Sequence, residues 1–371
     1  MCSFIAYIED ECMENKFEVI DFLRVILIIF VVTLHAYTTT GSVEWLNNGY
    51  PVYKFVTYNF ALLAGYIAVP FFFFISGFLF FYSSRGKISY RKKWEKRIYT
   101  LLFPYMVWNF VTIVLFFFLQ NIITEGYFSG DHKFVVDFSC IDFLRAFWDC
   151  GHWLGGDGTP ILSVLWYVRN LIILSLLTPV MWYLNSKLRF FWLIPIFLIW
   201  SLTPRLAFTL CSVFWFGIGT YFGCAKIDID LFFYKNRVFE IFCFIIFYVA
   251  YNVLFFYHLD FVFAVFVQRV CILFAIPVMY VCIFVGITKW RWKIPHQLVK
   301  AVFFIFVFHF FVVIGLRKLM VKLFPNVSDM GAVLLYFLSI VLTLFISFEI
   351  YILLRRLIPK ILEFITGGRS Q

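Results

Sequence analysis

Arg24 and His35 stand eleven residues apart in the run DFLRVILIIFVVTLHAY, with only Thr33 interrupting the apolar residues between them. In a helix, eleven residues make three turns plus about 20° and rise about 16 Å, so both side chains project from one face at opposite ends. An imidazole can take a proton near neutral pH, and a guanidinium can grip a phosphate through two parallel hydrogen bonds. Either residue could instead be structural, the arginine reaching the interface along its aliphatic stem and the histidine bonding a neighbouring helix. Their sharing one face favours a functional pair.

Three more ionisable residues stand in apolar surroundings: His309 in VFFIFVFHFFVV, Arg269 in FVQRVCILF, and Arg169 in LWYVRNL. Such groups are costly in hydrocarbon, which makes each a candidate site residue. For His309 a hydrogen-bonded core histidine is the competing explanation, and Arg269 is expected to pair with a carboxylate or carbonyl and serve structure. In VPFFFFISGFLFF, Gly77 suits close helix packing, and Ser76 is a candidate hydrogen-bond donor. The segment RGKISYRKKWEKR carries seven positive charges in thirteen residues. It can signal topology, hold anionic lipid, or receive a multiply phosphorylated ligand from the cytoplasmic side. The nine cysteines show no metal-ligand spacing, so no metal site is expected. Cys140 and Cys150 could form a disulfide in an oxidising compartment. There is no phosphate-binding glycine loop and no dinucleotide fingerprint.

The elements that must position these residues are membrane helices. Of 371 residues 63% are hydrophobic and only 14% charged, and the mean hydropathy is +0.92, far from a soluble domain. The chain reads as an all-α, polytopic bundle of about ten transmembrane helices, near 18–37, 66–82, 99–120, 164–184, 189–204, 206–224, 237–257, 262–287, 299–316 and 333–357. The stretch from Tyr50 to Tyr82 is too long for one upright span, and Pro70 is expected to separate an outer helix from the second span. Only Pro204 and Arg205 divide the fifth from the sixth. Residues 1–371 form a single membrane domain whose one sizeable outer segment, 121–163, carries Phe128, Phe138, Phe143, Phe147, Trp148 and Trp153 and is expected to pack as a cap. Acidic Glu9, Asp10, Glu11 and Glu14 argue against a cleavable signal peptide.

Charge placement orients the bundle. Of the 31 Lys and Arg residues, 21 fall on the side of both termini and 7 on the other, and the loop after the ninth span (Arg317, Lys318, Lys322) is the one dissenting piece. The net charge of +10 therefore reflects topology and membrane lipid, not nucleic acid. Both termini are expected in the cytoplasm of a multi-pass protein of the cell (inner) membrane.

Five segments, in order, resemble the acyltransferase-three family of integral membrane O-acyltransferases. DFLRVILIIFVVTLHA is similar to its first-span signature, an arginine and a histidine separated by ten residues. VPFFFFISGFLFF resembles the second-span motif ending in Ser-Gly-Phe, and KRIYTLLFPYMVW the basic, proline-bearing entry to the third span. LWYVRNLIILSLLTPV resembles the opening of the fourth, and FFIFVFHFF the histidine-bearing ninth. Two departures stand out. Many relatives read Arg-Asp-Leu where this chain has Arg169-Asn170-Leu171, and the Ser-Leu-x-x-Glu stretch of a polymer-modifying branch is absent.

The resemblance implies transfer of an acyl group, acetyl in the first instance, from acyl-CoA to a hydroxyl of a sugar or envelope glycan, with no bound cofactor. Acyl-CoA is the donor substrate; a carbohydrate or lipid-linked glycan is the acceptor. On this expectation Arg24, Arg91, Lys93 and Arg97 hold the CoA phosphates, and the pantetheine arm runs along the face between Arg24 and His35. His35 is the catalytic general base, an acyl-enzyme intermediate remaining open. Ser76, Trp166, Arg169 and His309 are expected near the substrate. Two other classes compete. A transporter or flippase of envelope precursors would show inverted repeats and broken helices, which the sequence lacks. A non-catalytic acyl-CoA or lipid sensor would need the basic run but not His35.

Orientation gives the first test. A reporter fused after Gln371 should be cytoplasmic and one inserted at Gly130 external. An external C-terminus would overturn the sidedness of the site.

Overall fold

A computed structural model describes residues 2–38, 49–82, 88–122, 133–150, 154, 158–203, 207–257 and 261–369. Among these every regular element is helical. The principal helices are α1 (Cys2–Thr38), α2 (Pro51–Tyr82), α3 (Tyr90–Ile122), α4 (Cys140–Ala146), α5 (Trp166–Leu176), α6 (Thr178–Leu188), α7 (Leu193–Leu202), α8 (Ala207–Cys224), α9 (Ile229–Phe256), α10 (Phe261–Trp290), α11 (His296–Leu323), α12 (Asp329–Leu357) and α13 (Pro359–Thr366).

Each expected span has a helix, but not all are long enough to cross alone. Six (α2, α3, α9, α10, α11 and α12) are long and apolar enough, or seven if α5 and α6, bent by 63° at Leu177, form one span with the turn before them. The fifth and sixth expected spans are the short helices α7 and α8. The ten residues of α7 rise only about 15 Å, half the hydrocarbon thickness. Pro204 and Arg205, between these two helices, lie outside the described residues. The break expected at Pro70 is corrected: α2 runs through it, with Pro70 buried inside the helix. The local departure is instead a π-helical stretch, Tyr58–Gly65, whose wider turn absorbs the irregularity without ending the helix.

The centre of the bundle is α1 against α2, α11 and α12, with α2 in turn against α8. Val19, Leu23, Leu27, Ile28 and Val31 of α1 and Phe71, Phe73, Phe74 and Phe78 of α2 are all buried in one apolar core. Glycines set the α2–α8 crossing. A Cβ on Gly77 would collide with the Phe216 carbonyl oxygen, and one on Gly219 with that of Phe74. With no hydrophobic drive between helices in lipid, this close backbone approach supplies the packing that holds them. The packing explanation for Gly77 is the one the structure supports.

Polar contacts fasten the two ends. Lys16 Nζ lies 3.3 Å from Asp228 Oδ1 and 3.5 Å from Asp230 Oδ2 and donates to Tyr82 Oη at 3.2 Å. Tyr280 Oη donates to Asp230, so one cluster ties α1, α2, α9 and α10. At the other end the three basic residues after the expected ninth span are not in a loop. They belong to α11, which runs to Leu323, and Arg317 is fully buried there with Nη2 donating to Tyr53 Oη at 3.1 Å.

The described part of 121–163 packs as a cap, with Val135, Phe138, Ala146, Cys150 and Ile161 buried against Ile113 of α3 and Phe147 beside them. Phe128 and Trp153 lie outside the described residues. Cys140 is exposed and Cys150 buried, and both are free thiols. The cap helix α4 starts with a capping box between Ser139 and Asp142. Hydrogen bonds from Lys133 and then Ser139 pull the Asp142 carboxyl down to about 2. The stabilisation from this carboxylate is thus present above its ordinary pKa and lost as the pH falls through about 2.

The glycine crossing is directly testable. Gly77→Val should destabilise the protein by about 1–3 kcal/mol through overpacking and lower the unfolding temperature in detergent. Gly315→Ala, whose Cβ would enter open space, should not. Equal melting of the two variants would refute the crossing.

Candidate functional site

The face of α1 predicted to carry an arginine and a histidine does so, and α11 supplies what the sequence did not reveal. His35 and His309 meet with ring centroids 5.2 Å apart and planes at 51°, and Phe310 stands edge-on to His35 at 5.6 Å. His309 is fully buried. Its Nδ1 lies 3.0 Å from the Ile305 carbonyl oxygen. A carbonyl can only accept, so Nδ1 carries the hydrogen, and in the neutral ring Nε2 is left as a lone-pair acceptor. That Nε2 is buried and has no hydrogen-bond partner among the described residues.

At the other end of the α1 face Arg24 Nη1 lies 2.8 Å from Asp21 Oδ1. Arg97 comes from α3, at the start of the π-helical stretch Ile98–Leu102. Between the two ends stands Tyr167 of α5. Its hydroxyl is 3.4 Å from Ser76 Oγ, and its ring packs on Phe73 at 4.7 Å and Phe306 at 5.7 Å. Arg369 lies 4.3 Å over the ring of Phe303, which is 6.3 Å from Phe306. Phe306 is in turn 6.4 Å from His309. An aromatic wall therefore leads from the arginines to the histidines.

The other expected phosphate ligands go elsewhere. Arg91 Nε pairs with Glu95 at 3.0 Å and is almost wholly exposed. Lys93 Nζ donates to the Phe80 carbonyl and lies 4.8 Å over the Phe80 ring. Arg24 and Arg97 lie within reach of each other's charge, and so do Arg97 and Lys93. Trp166 packs on Phe208 at 4.5 Å and on Phe73 at 6.1 Å, as part of the same aromatic wall.

Arg169 has a different task from the one expected. Its guanidinium donates to the carbonyls of Trp148 and Gly158 (2.8 Å) and to Asn170 Oδ1 at 3.2 and 3.3 Å. It also lies 5.1 Å over the Trp148 ring. The carboxylate that many relatives carry next to this arginine is replaced by an amide oxygen and cap carbonyls, so Arg169 anchors the cap. Arg269 finds no carboxylate among the described residues. It lies 4.9 Å over the Trp200 ring, and the π face supplies the negative charge expected from an acid. A cavity of about 490 Å³ between Phe190, Leu193, Phe197, Phe214, Phe222 and Leu273 is wholly apolar and touches none of these groups.

Sequence reasoning missed Tyr167 and Arg369 and did not see that His35 and His309 are neighbours. No spacing rule joins residues 274 positions apart. The available signal was that both are histidines in otherwise apolar spans. With this geometry in place, the comparison with known families has a physical counterpart. The model of a family described as acyltransferase domain matches residues 17–352, so the chain belongs to the acyltransferase-three family. No curated protein and no solved structure matches it.

The cap anchor makes its own prediction. Arg169→Gln should speed amide hydrogen exchange at Cys150 and Ile161, whose N–H groups bond the carbonyls of Thr159 and Ala146. The α2–α8 crossing should exchange as before. Unaltered exchange in the cap would show that Arg169 does not hold it.

Proposed function

We propose that this membrane acyltransferase moves an acyl group, acetyl in the first instance, from cytoplasmic acyl-CoA to a hydroxyl of a sugar or envelope glycan at the outer face. Termini in the cytoplasm and residence in the cell (inner) membrane belong to the same reading and are supported by the excess of basic residues on one side. The observation that carries it is the histidine pair at one end of the α1 face, with Arg24 at the other. Eleven helical residues separate them by about 16 Å, a length suited to an extended thiol arm between phosphates and thioester.

His35 takes the proton of the acceptor hydroxyl as its oxygen attacks the thioester carbonyl. The tetrahedral intermediate collapses with cleavage of the carbon–sulfur bond, and the leaving thiolate receives the proton from the imidazolium, giving an ester and free CoA. His309, with Nδ1–H held by Ile305, presents Nε2 as an acceptor that orients the hydroxyl or the His35 ring. Arg24 and Arg97 hold donor phosphates. Ser76 and Tyr167, joined at 3.4 Å, offer hydroxyl donors along the path, the nearest candidates for stabilising the oxyanion.

His35→Gln keeps hydrogen bonding but cannot take the proton. Acceptor acylation by the folded variant should fall by about 10²-fold or more, within the range of general-base catalysis, while CoA affinity persists. His309→Gln should lower turnover less. Near-normal turnover in His35→Gln would sink the assignment of His35 as base.

A further inference from the structure

The helix that ends the described chain, α13, lies beyond the residues matched by the family model, which stop at 352, yet it is fitted tightly to the bundle. Trp108 Nε1 of α3 donates to the Ile365 carbonyl at 2.9 Å, and Phe103 meets Phe364 at 6.2 Å. The chain then turns through two left-handed glycines, Gly367 at φ 65° and Gly368 at φ 76°. A Cβ at Gly367 would lie 2.7 Å from the Thr100 carbonyl oxygen, so only glycine allows both the turn and the approach to α3. Thr100 is less than one helical turn beyond Arg97.

This turn delivers Arg369. Its guanidinium lies 4.3 Å over the ring of Phe303 on α11, and Nη1 donates to the Thr366 carbonyl at 2.8 Å. Burial, followed by the positive charges of Arg97 and Arg24, pushes its pKa down to about 10, which leaves it charged at neutral pH. The C-terminal turn thus packs on α3 at Thr100, three residues beyond Arg97, and the charges of Arg97 and Arg24 act on Arg369. Among the described residues the one carboxylate paired with any of them is Asp21. Like charges drawn together at half-buried positions repel one another, and an anion with several negative charges reverses the sign.

We infer that Arg369 is a third phosphate-binding arginine of the donor site, brought in by the C-terminal segment to grip a multiply phosphorylated nucleotide together with Arg24 and Arg97. The inference rests on the donor reading above and adds a ligand residue from outside the family's matched region. A lipid headgroup shares the phosphate chemistry, but the surroundings favour the nucleotide. Phe303 under Arg369 is 6.3 Å from Phe306, and Phe306 is next to His309. A phosphate held here thus lies at the foot of the aromatic wall that leads to the histidines.

The full-length protein in nanodiscs of phosphatidylcholine alone allows the test, with CoA as the calorimetric probe. Arg369→Gln should weaken CoA binding roughly 10-fold or more, as expected for a lost charged hydrogen bond. Arg369→Lys, which keeps charge but loses the fork, should fall between. Lys360→Gln, which removes a charge from the exposed side of the same helix, should bind like wild type, and thermal unfolding should show all variants folded. Wild-type CoA affinity in folded Arg369→Gln would overturn the inference and leave the donor reading intact. Absence of CoA binding by the wild type would overturn both. An effect confined to retention of added phosphatidylglycerol, with CoA affinity unchanged, would assign Arg369 to lipid and also overturn it.

Discussion

The contact between the His35 and His309 rings requires α1 and α11 to lie side by side in one register. A shift of one helical position, about 100° and 1.5 Å, would turn one imidazole out of the contact. The register is held from several directions. Tyr336 Oη of α12 donates to the Thr33 carbonyl at 3.0 Å, two residues before His35. Arg317 reaches Tyr53, which meets Tyr336 edge-on at 6.2 Å. Polar links therefore stand on both sides of the histidines, at Thr33 just before His35 and at Arg317 beyond His309. On the inner side the Lys16 cluster fixes α1 to α2, α9 and α10.

Polar groups in lipid must be satisfied internally, and the structure divides them into two kinds. Those that serve structure have their charge answered: Lys16 by two aspartates, Arg169 by carbonyls and an amide, Arg269 by an indole face. Those at the site are left open. His309 Nε2 has no partner among the described residues, and among them Arg24 is the one of the three arginines paired with a carboxylate, that of Asp21. Unsatisfied buried atoms also occur away from the histidines, on Arg269 and Glu240 for example, so the site is marked by the meeting of His35 and His309 and not by an open valence alone. Arg91 and Lys93 look equivalent to Arg97 in the sequence, and in the structure Arg91 pairs with Glu95 and Lys93 donates to the Phe80 carbonyl.

Much of this was legible beforehand, for identifiable reasons. Apolar runs of membrane length locate helices because hydrocarbon tolerates little else, so every expected span is a helix. The 3.6-residue period places Arg24 and His35 on one face with no tertiary information. Whether a helix crosses alone was less legible, because the apolar runs of the fifth and sixth expected spans do not show where their helices α7 and α8 end, and the bend at Leu177 depends on local geometry. Pro70 misled because a proline reads as a break, whereas the bundle carries the helix through it. The histidine pair and the arginine cluster were illegible because both are tertiary. They join residues separated by most of the chain, and Arg369 in a basic tail looks like any other topology charge.

The arrangement also explains why α1 can serve as the axis of the site. A donor held by phosphates on one side of the bilayer must present its reactive carbon on the other if the acceptor is outside. A helix running from Arg24 to His35 covers about 16 Å, roughly half the hydrocarbon thickness of about 30 Å. With Arg24 at one membrane surface, as proposed above, the histidines would lie within the membrane's depth. For an acceptor hydroxyl to reach them, the outer side must open or be recessed down to His35. The cap, packed against Ile113 of α3, is tied to α5 by Arg169 through the Trp148 and Gly158 carbonyls. Arg169 itself belongs to α5, the helix that also carries Tyr167 of the aromatic wall. One short helix thus carries both the cap's anchor and a ring of the aromatic wall, two residues apart.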